Sequence, residues 1–319
     1  MGRALLAAGL ALLAGLALLA GAALAQPTAQ LRPSVAAADV RPEPDLAYGA
    51  YQRGLYLQAV REATARLDRD PDDAAAMTLL AELHNQGLGI RQDPGKAIEW
   101  YRLAASRGDA HALAALAMMA IDGRGMEQDR ERGRALLEEA AAKGEPAAAY
   151  NLALLLLASG SDADLKRAAG LLQVAAKAEI PDAQHALGVL YLRGRAVPRD
   201  TAEAARWFLK AAQNGNTAGE VEYAILLFNG DGVVKDEALA ARYFRRAAGR
   251  GNVIAQNRLA RLYAVGRGVP KNLVEAAAWH LLAAGRGLAD AWLDQALKDL
   301  PPDQRTIAEK LAAQRADLI

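Results

Sequence analysis

Cysteine is absent from this chain of 319 residues. That excludes disulfides, thiolate chemistry and cysteine-held metal centres, and leaves packing as the source of stability. Histidine is scarce: His84, His111, His185 and His280 fall at four different positions of the repeating pattern described below, so they form no set. Neither H-E-x-x-H nor G-x-S-x-G occurs, and no metal-spaced cluster appears. An excess of one charge is also lacking, with 38 Lys and Arg against 37 Asp and Glu. Nothing there draws a phosphate backbone or an anionic lipid surface, so nucleic acid is not an expected partner. No active site and no cofactor are read from this sequence, and the chain is expected not to be an enzyme.

What is present begins with a leader. Arg3 precedes an uncharged apolar run from Ala4 to Ala20, and Ala23-Leu24-Ala25 offers a small-residue cleavage site before Gln26. Residues 1–25 are expected to be a secretory signal peptide, and the chain to be exported to the periplasm; an uncleaved segment would instead be a membrane anchor, the only membrane contact foreseen. No lipobox cysteine is present. Residues 26–44 carry Pro27, Pro33, Pro42 and Pro44 without hydrophobic period and read as a disordered tether.

From there a period takes over. Ala-Ala pairs stand at 104–105, 140–141, 175–176, 211–212, 247–248 and 283–284, steps of 35 or 36 residues. A fixed period of this length marks one supersecondary unit stacked on itself. Each unit reads as helix A, a glycine-bearing loop, helix B and a tight turn. Helix A carries a small residue at Ala76, Ala112, Ala148, Ala183, Gly219 and Ala255, with a large one four residues later, which puts both on one face. Glycine pairs such as Gly87/Gly89 and Gly266/Gly268 follow a helix rather than a strand, so they read as turns and not as a phosphate cradle. Asp93, Asp129, Asp164, Asp200, Asp236 and Asn272 stand eleven residues before each Ala-Ala pair and are expected to cap helix B. Farther along helix B, large pairs such as Trp100-Tyr101 and Trp207-Phe208 lie one turn before the Ala-Ala pair.

The run Leu187-Gly188-Val189-Leu190-Tyr191 through Gly194, Asp200, Ala204, Trp207-Phe208, Lys210-Ala211-Ala212 and Gly215 resembles the Sel-one-like repeat (SLR), the longer-looped branch of the tetratricopeptide superfamily. The resemblance implies an all-α, right-handed superhelical solenoid of helix-turn-helix repeats that binds proteins or peptides, often in bacterial envelope signalling and assembly. The expected organisation is a tetratricopeptide-like pair at 45–72, six repeats at 73–288 and capping helices at 289–319. Family members with a disulfide in each repeat have been linked to penicillin binding, and the lack of cysteine does not support that branch here. The third repeat departs from the pattern: it is one residue short, lacks the paired glycines and ends at Glu179-Ile180-Pro181. A bend and ordinary loop drift both stand open there.

Counting about 100° per residue from the small residue of helix A, positions +2, +6 and +9 fall opposite the core. They are polar in the first repeat (Thr78, Glu82, Asn85), largely so in the sixth, and apolar between. Met118, Ile121, Tyr150, Leu154, Leu157, Val189, Leu192, Ile225 and Phe228 are therefore the candidate partner-binding residues, lining a groove for a helix or extended peptide. The alternative is that neighbouring helices pack over them. The expected function is a non-catalytic periplasmic scaffold for an envelope protein. A secreted or surface effector binding host or cell-wall ligands is the rival. A cell-wall or carbohydrate-active hydrolase fits less well, because Trp100, Trp207 and Trp279 sit in the packing slot and only Trp292 lies outside it.

Overall fold

The computed structural model describes residues 45–318, so the expected leader and tether lie outside the described residues. Among the described residues there are sixteen helices and no strand. The chain forms two compact units that part between Asp164 and Leu165. The first contains α1 (Leu46–Gln52), α2 (Tyr56–Arg69), α3 (Ala74–Gln86), α4 (Pro94–Ser106), α5 (Ala110–Asp122), α6 (Arg130–Ala142) and α7 (Pro146–Ser159). The boundary falls in the first turn of α8 (Asp162–Lys177). The second unit continues with α9 (Pro181–Arg193), α10 (Thr201–Gln213), α11 (Thr217–Asn229), α12 (Glu237–Gly249), α13 (Val253–Val265), α14 (Leu273–Gly285), α15 (Ala291–Leu297) and α16 (Pro302–Ala316). In the first unit, and from α9 to α14 in the second, each helix packs on its sequence neighbours, most extensively within an A/B pair, and α16 closes on α14. This is the repeat solenoid that the 36-residue period predicts.

Five of the six helix B caps form as expected. Asp93, Asp129, Asp200, Asp236 and Asn272 each accept the backbone N–H three residues on, at 2.7 to 3.0 Å. Asp164 does not. Helix α8 starts at Asp162, about one turn early, and Ser161 Oγ accepts the Asp164 N–H instead. The shortened loop explains the shift: with few residues after α7, the chain must re-enter helix sooner, and Asp164 turns its carboxylate to the Ser159 hydroxyl at 2.6 Å. The helix A starts are capped too, by Asp73, Asp109, Asn216 and Asn252, a row the repeat pattern alone did not bring out.

The second residue of every large pair on helix B is buried: Tyr101, Leu137, Leu172, Phe208, Phe244 and His280. Small residues on helix A make room for them. A Cβ on Gly188 would stand 2.7 Å from the Phe208 ring. The loop glycines serve a second contact. Gly89, Gly125, Gly232 and Gly268 press against the first turn of the preceding pair's second helix, at Tyr56, Pro94, Thr201 and Glu237. A side chain on Gly268 would run into the Glu237 carbonyl oxygen.

Two non-glycine residues occupy left-handed positions that glycine holds in other repeats. Ala196 (φ 67°) takes the second loop position and Glu179 (φ 65°) the turn after helix B. A Cβ in that conformation costs about 1–2 kcal/mol. Ala196→Gly and Glu179→Gly are therefore each expected to stabilise the protein by about 1 kcal/mol, whereas Gly268→Ala, which adds both strain and a backbone collision, is expected to destabilise it. Urea unfolding followed by circular dichroism checks the signs; a loss of stability in both glycine variants would contradict the account.

Candidate partner-binding face

The nine candidate residues divide between the units: Met118, Ile121, Tyr150, Leu154 and Leu157 in the first, Val189, Leu192, Ile225 and Phe228 in the second. None is fully buried, and Leu154 is the most open at 37% exposure. Their rows differ in what they touch. At +9, Ile121 lies against Gly133 of α6, where an added Cβ would collide with it. Phe228 lies beneath the Arg267 guanidinium, whose carbon is 4.3 Å from the ring centre, and Arg267 is ion-paired to Glu237. Leu192 borders a cleft of about 430 Å³ with Arg199, Thr201 and the Gly230–Gly232 loop. Position +2 is buried in Ala114 and Val221. Ile121, Leu192 and Phe228 of the +9 row thus meet the next helix B or its loop; in the +6 row Leu154 is exposed, and Met118, Val189 and Ile225 are half-buried, the last two packing on the same core as Leu192 and Phe228.

The polar ends of the stripe have an internal use. In the first repeat, Glu82 accepts hydrogen bonds from the buried Tyr101 hydroxyl and from Gln86. Burial, with Glu82 nearby, pushes the Tyr51 hydroxyl up to about 12. In the sixth repeat, Arg261 grips Asp290 through Nε and Nη2 at 2.6 and 2.8 Å, and Asn257 donates to the same carboxylate at 2.7 Å. Asp290 is the N-cap of α15, and the Arg261 guanidinium also lies 5.2 Å from the Trp292 ring centre. These side chains anchor the terminal helices.

The same angular count puts −1, +3 and +10 beside +6, within about 60°. Those positions carry charge that the stripe omitted: His111 and Asp122 in the first unit, and Asp182, Arg193, Glu222 and Arg258 in the second. His111 Nδ1 lies 3.9 Å from Glu145, which caps α7. Burial opposes charging of His111, but the Glu145 carboxylate prevails and raises its pKa; in return Glu145 is held below its ordinary value. Glu222 is half-buried, and burial raises its pKa against the pull of Arg193. Burial and the neighbouring Arg261 lower that of Arg258.

The histidines stay apart. The His185 ring packs on Phe208 at 5.6 Å and burial lowers its pKa; His280 is buried with Nε2 2.7 Å from Asp294. Among the described residues no group of three His, Asp or Glu side chains converges to hold a metal ion, and no helix is long and apolar enough to cross a membrane. A second cleft, about 310 Å³, lies among Arg102, Met126, Gln128 and Arg132.

The Sel1 repeat model matches six consecutive segments, 74–109, 110–145, 146–179, 181–216, 218–252 and 253–288. The chain belongs to the Sel1 repeat family. Proteins built of Sel1 repeats are generally protein–protein interaction scaffolds. Among solved structures, the chain is similar to a protective antigen present in uropathogenic Escherichia coli strains that displays an SLR fold, with 25% identity and a TM-score of 0.67. That match covers 81% of this chain and 57% of the antigen, so the chain spans little more than half of that protein. It is also similar to a Sel1 repeat protein from Oxalobacter formigenes, with 25% identity, a TM-score of 0.66 and coverage of 75% of this chain and 98% of that one. A comparison with curated proteins finds no match.

Two ion pairs of this Sel1 repeat protein give its stability a pH dependence. Burial alone would raise the Asp290 carboxyl, but Arg261, Asn257 and the Leu293 N–H hold it at about 2. A depressed carboxylate stabilises the fold above its unfolded pKa, and that contribution is lost as pH falls from about 4 toward 2. His111, raised, stabilises fully below its unfolded pKa and loses this as pH rises through the folded one. Asp290→Asn is therefore expected to weaken the acid limb of a melting-temperature profile, and His111→Gln to flatten the decline as pH rises above the ordinary histidine range. Unchanged profiles in both variants would contradict these assignments.

Proposed function

We propose that the chain is a non-catalytic scaffold of the bacterial periplasm that binds a segment of a partner envelope protein on the helix A face, in the service of signalling or assembly. The observation that carries this reading is the +6 row. Leu154 is exposed, Met118 in the same unit keeps part of its surface in water, and so do Val189 and Ile225 in the other while packing on the core with the rest. An apolar row left partly open on a surface otherwise rich in charge is what a partner's side chains would cover. Export is supported by Arg3, the apolar run that follows it and the Ala23-Leu24-Ala25 site.

A second reading, a secreted or surface protein that engages host or cell-wall ligands, is favoured by the similarity to the uropathogenic antigen. Separating cells into periplasm, membrane and medium, and locating the chain by antibody, decides between them. The binding face is tested by photo-crosslinking in living cells from residues placed at 118, 154 and 225, with exposed helix B positions 103 and 281 as controls. Within each unit, a partner is expected from these helix A sites and not from the controls. Met118→Glu and Ile225→Glu are expected to abolish its capture while leaving the helical circular dichroism unchanged; equal capture from the control sites would reject the face.

A further inference from the structure

On the second unit, the charges of α9, α11 and α13 that share the +6 side can be taken in turn. Asp182 accepts from the Asn216 amide at 2.6 Å. Arg193 is the cation that acts on Glu222. Arg261 is bidentate on Asp290, whose two oxygens also accept from Asn257, Trp292 N–H and Leu293 N–H, five bonds in all. Arg258 remains. It is half-buried at +3 of α13, beside Arg261, and makes no hydrogen bond or ion pair with any described residue. The nearby Asp290 is already saturated, so Arg258, Arg261 and Asp290 together hold one uncompensated positive charge.

We propose that this face of the second unit binds a partner segment that presents an Asp or Glu side chain to Arg258 while its apolar residues cover Val189 and Ile225. This rests on the helix A face being the partner-binding face. A guanidinium is a rigid fork of five N–H donors, shaped for bidentate contact with a carboxylate. Burial and the neighbouring Arg261 disfavour the charge on Arg258 more than Asp290 favours it, and no described residue gives its fork a hydrogen-bond acceptor. Its nitrogens are not among the buried polar atoms left without partners, which keeps them within reach of a ligand. Residues 165–319 also carry 22 Lys and Arg against 16 Asp and Glu, a charge balance complementary to an acidic segment. A small anion alone would leave Val189 and Ile225 uncovered; a peptide with apolar residues beside its carboxylate occupies both parts of the face.

The test is to pan a phage-displayed library of random twelve-residue peptides, fused so that no free C-terminus is offered, on the full chain and on Arg258→Gln, Arg258→Lys and Ile225→Glu. The full chain is expected to retain peptides that combine apolar residues with Asp or Glu. Synthesised and measured by fluorescence anisotropy, such a peptide is expected to bind Arg258→Gln about 10- to 100-fold more weakly, the worth of a hydrogen bond to a charged group. Arg258→Lys, which keeps the charge but not the fork, is expected to fall between. Circular dichroism melting establishes that each variant is folded. If the retained peptides lack an acidic preference, or bind Arg258→Gln as tightly, the carboxylate assignment is overturned while the apolar face stands. If no peptide is retained, or if Ile225→Glu retains the same ones, the binding face itself fails and the proposal falls with it.

Discussion

Everything repetitive in this molecule depends on how closely a loop can approach the first turn of a helix. In most repeats the A-to-B loop carries a glycine that presses on the start of the preceding pair's second helix, at Tyr56, Pro94, Thr201 or Glu237. The same turn is where Asp93, Asp200 or Asp236 caps the helix, so cap and loop contact meet at one place. Backbone packed against backbone leaves little latitude in spacing. That is why the period holds so nearly to 36 residues while the intervening side chains vary. Large side chains on helix B and small ones on helix A then fill what the contact leaves, as Phe208 does over Gly188.

The scaffold was legible in the sequence because its determinants are local and repeated. Capping residues, glycine turns and the Ala-Ala pairs each act within a few positions of themselves, so a pattern recurring six times exposes them. Asp164 shows the limit: it stands at the expected distance, yet helix α8 begins a turn earlier because a shortened loop sits before it. Spacing counted back from a conserved-looking end of a helix says nothing about where its other end lies. Likewise, Ala196 and Glu179 sit in glycine's conformation without glycine, since the contacts around the turn dictate the backbone and the residue tolerates it.

The candidate face was only partly legible, for a different reason. Angular position names the side of a helix and not what lies across from it. Phe228 and Ile225 occupy neighbouring rows of one stripe, but Arg267 reaches across from the next loop to cover the Phe228 ring. Nor does spacing within one repeat show that Arg261 and Asn257 converge on Asp290, some thirty residues on. The charges at −1, +3 and +10 were within reach of the same arithmetic. Seeing Arg258 as unpaired, however, requires knowing that Asp290 is already occupied.

The Asp290 lock also sets where this chain can lengthen over evolutionary time. Most internal repeats join through a glycine loop that fits a capped helix start, so duplicating a 36-residue segment that ends on such a loop would reproduce a junction already there. Beyond α14 the chain follows other rules. Arg261 and Asn257 are committed to a carboxylate carried by α15, and α16 covers α14. A repeat added at that end would have to displace both helices and leave a guanidinium without its acceptor. The last repeat is thus specialised for the helices that cover it, whereas an internal repeat meets the same kind of junction on both sides.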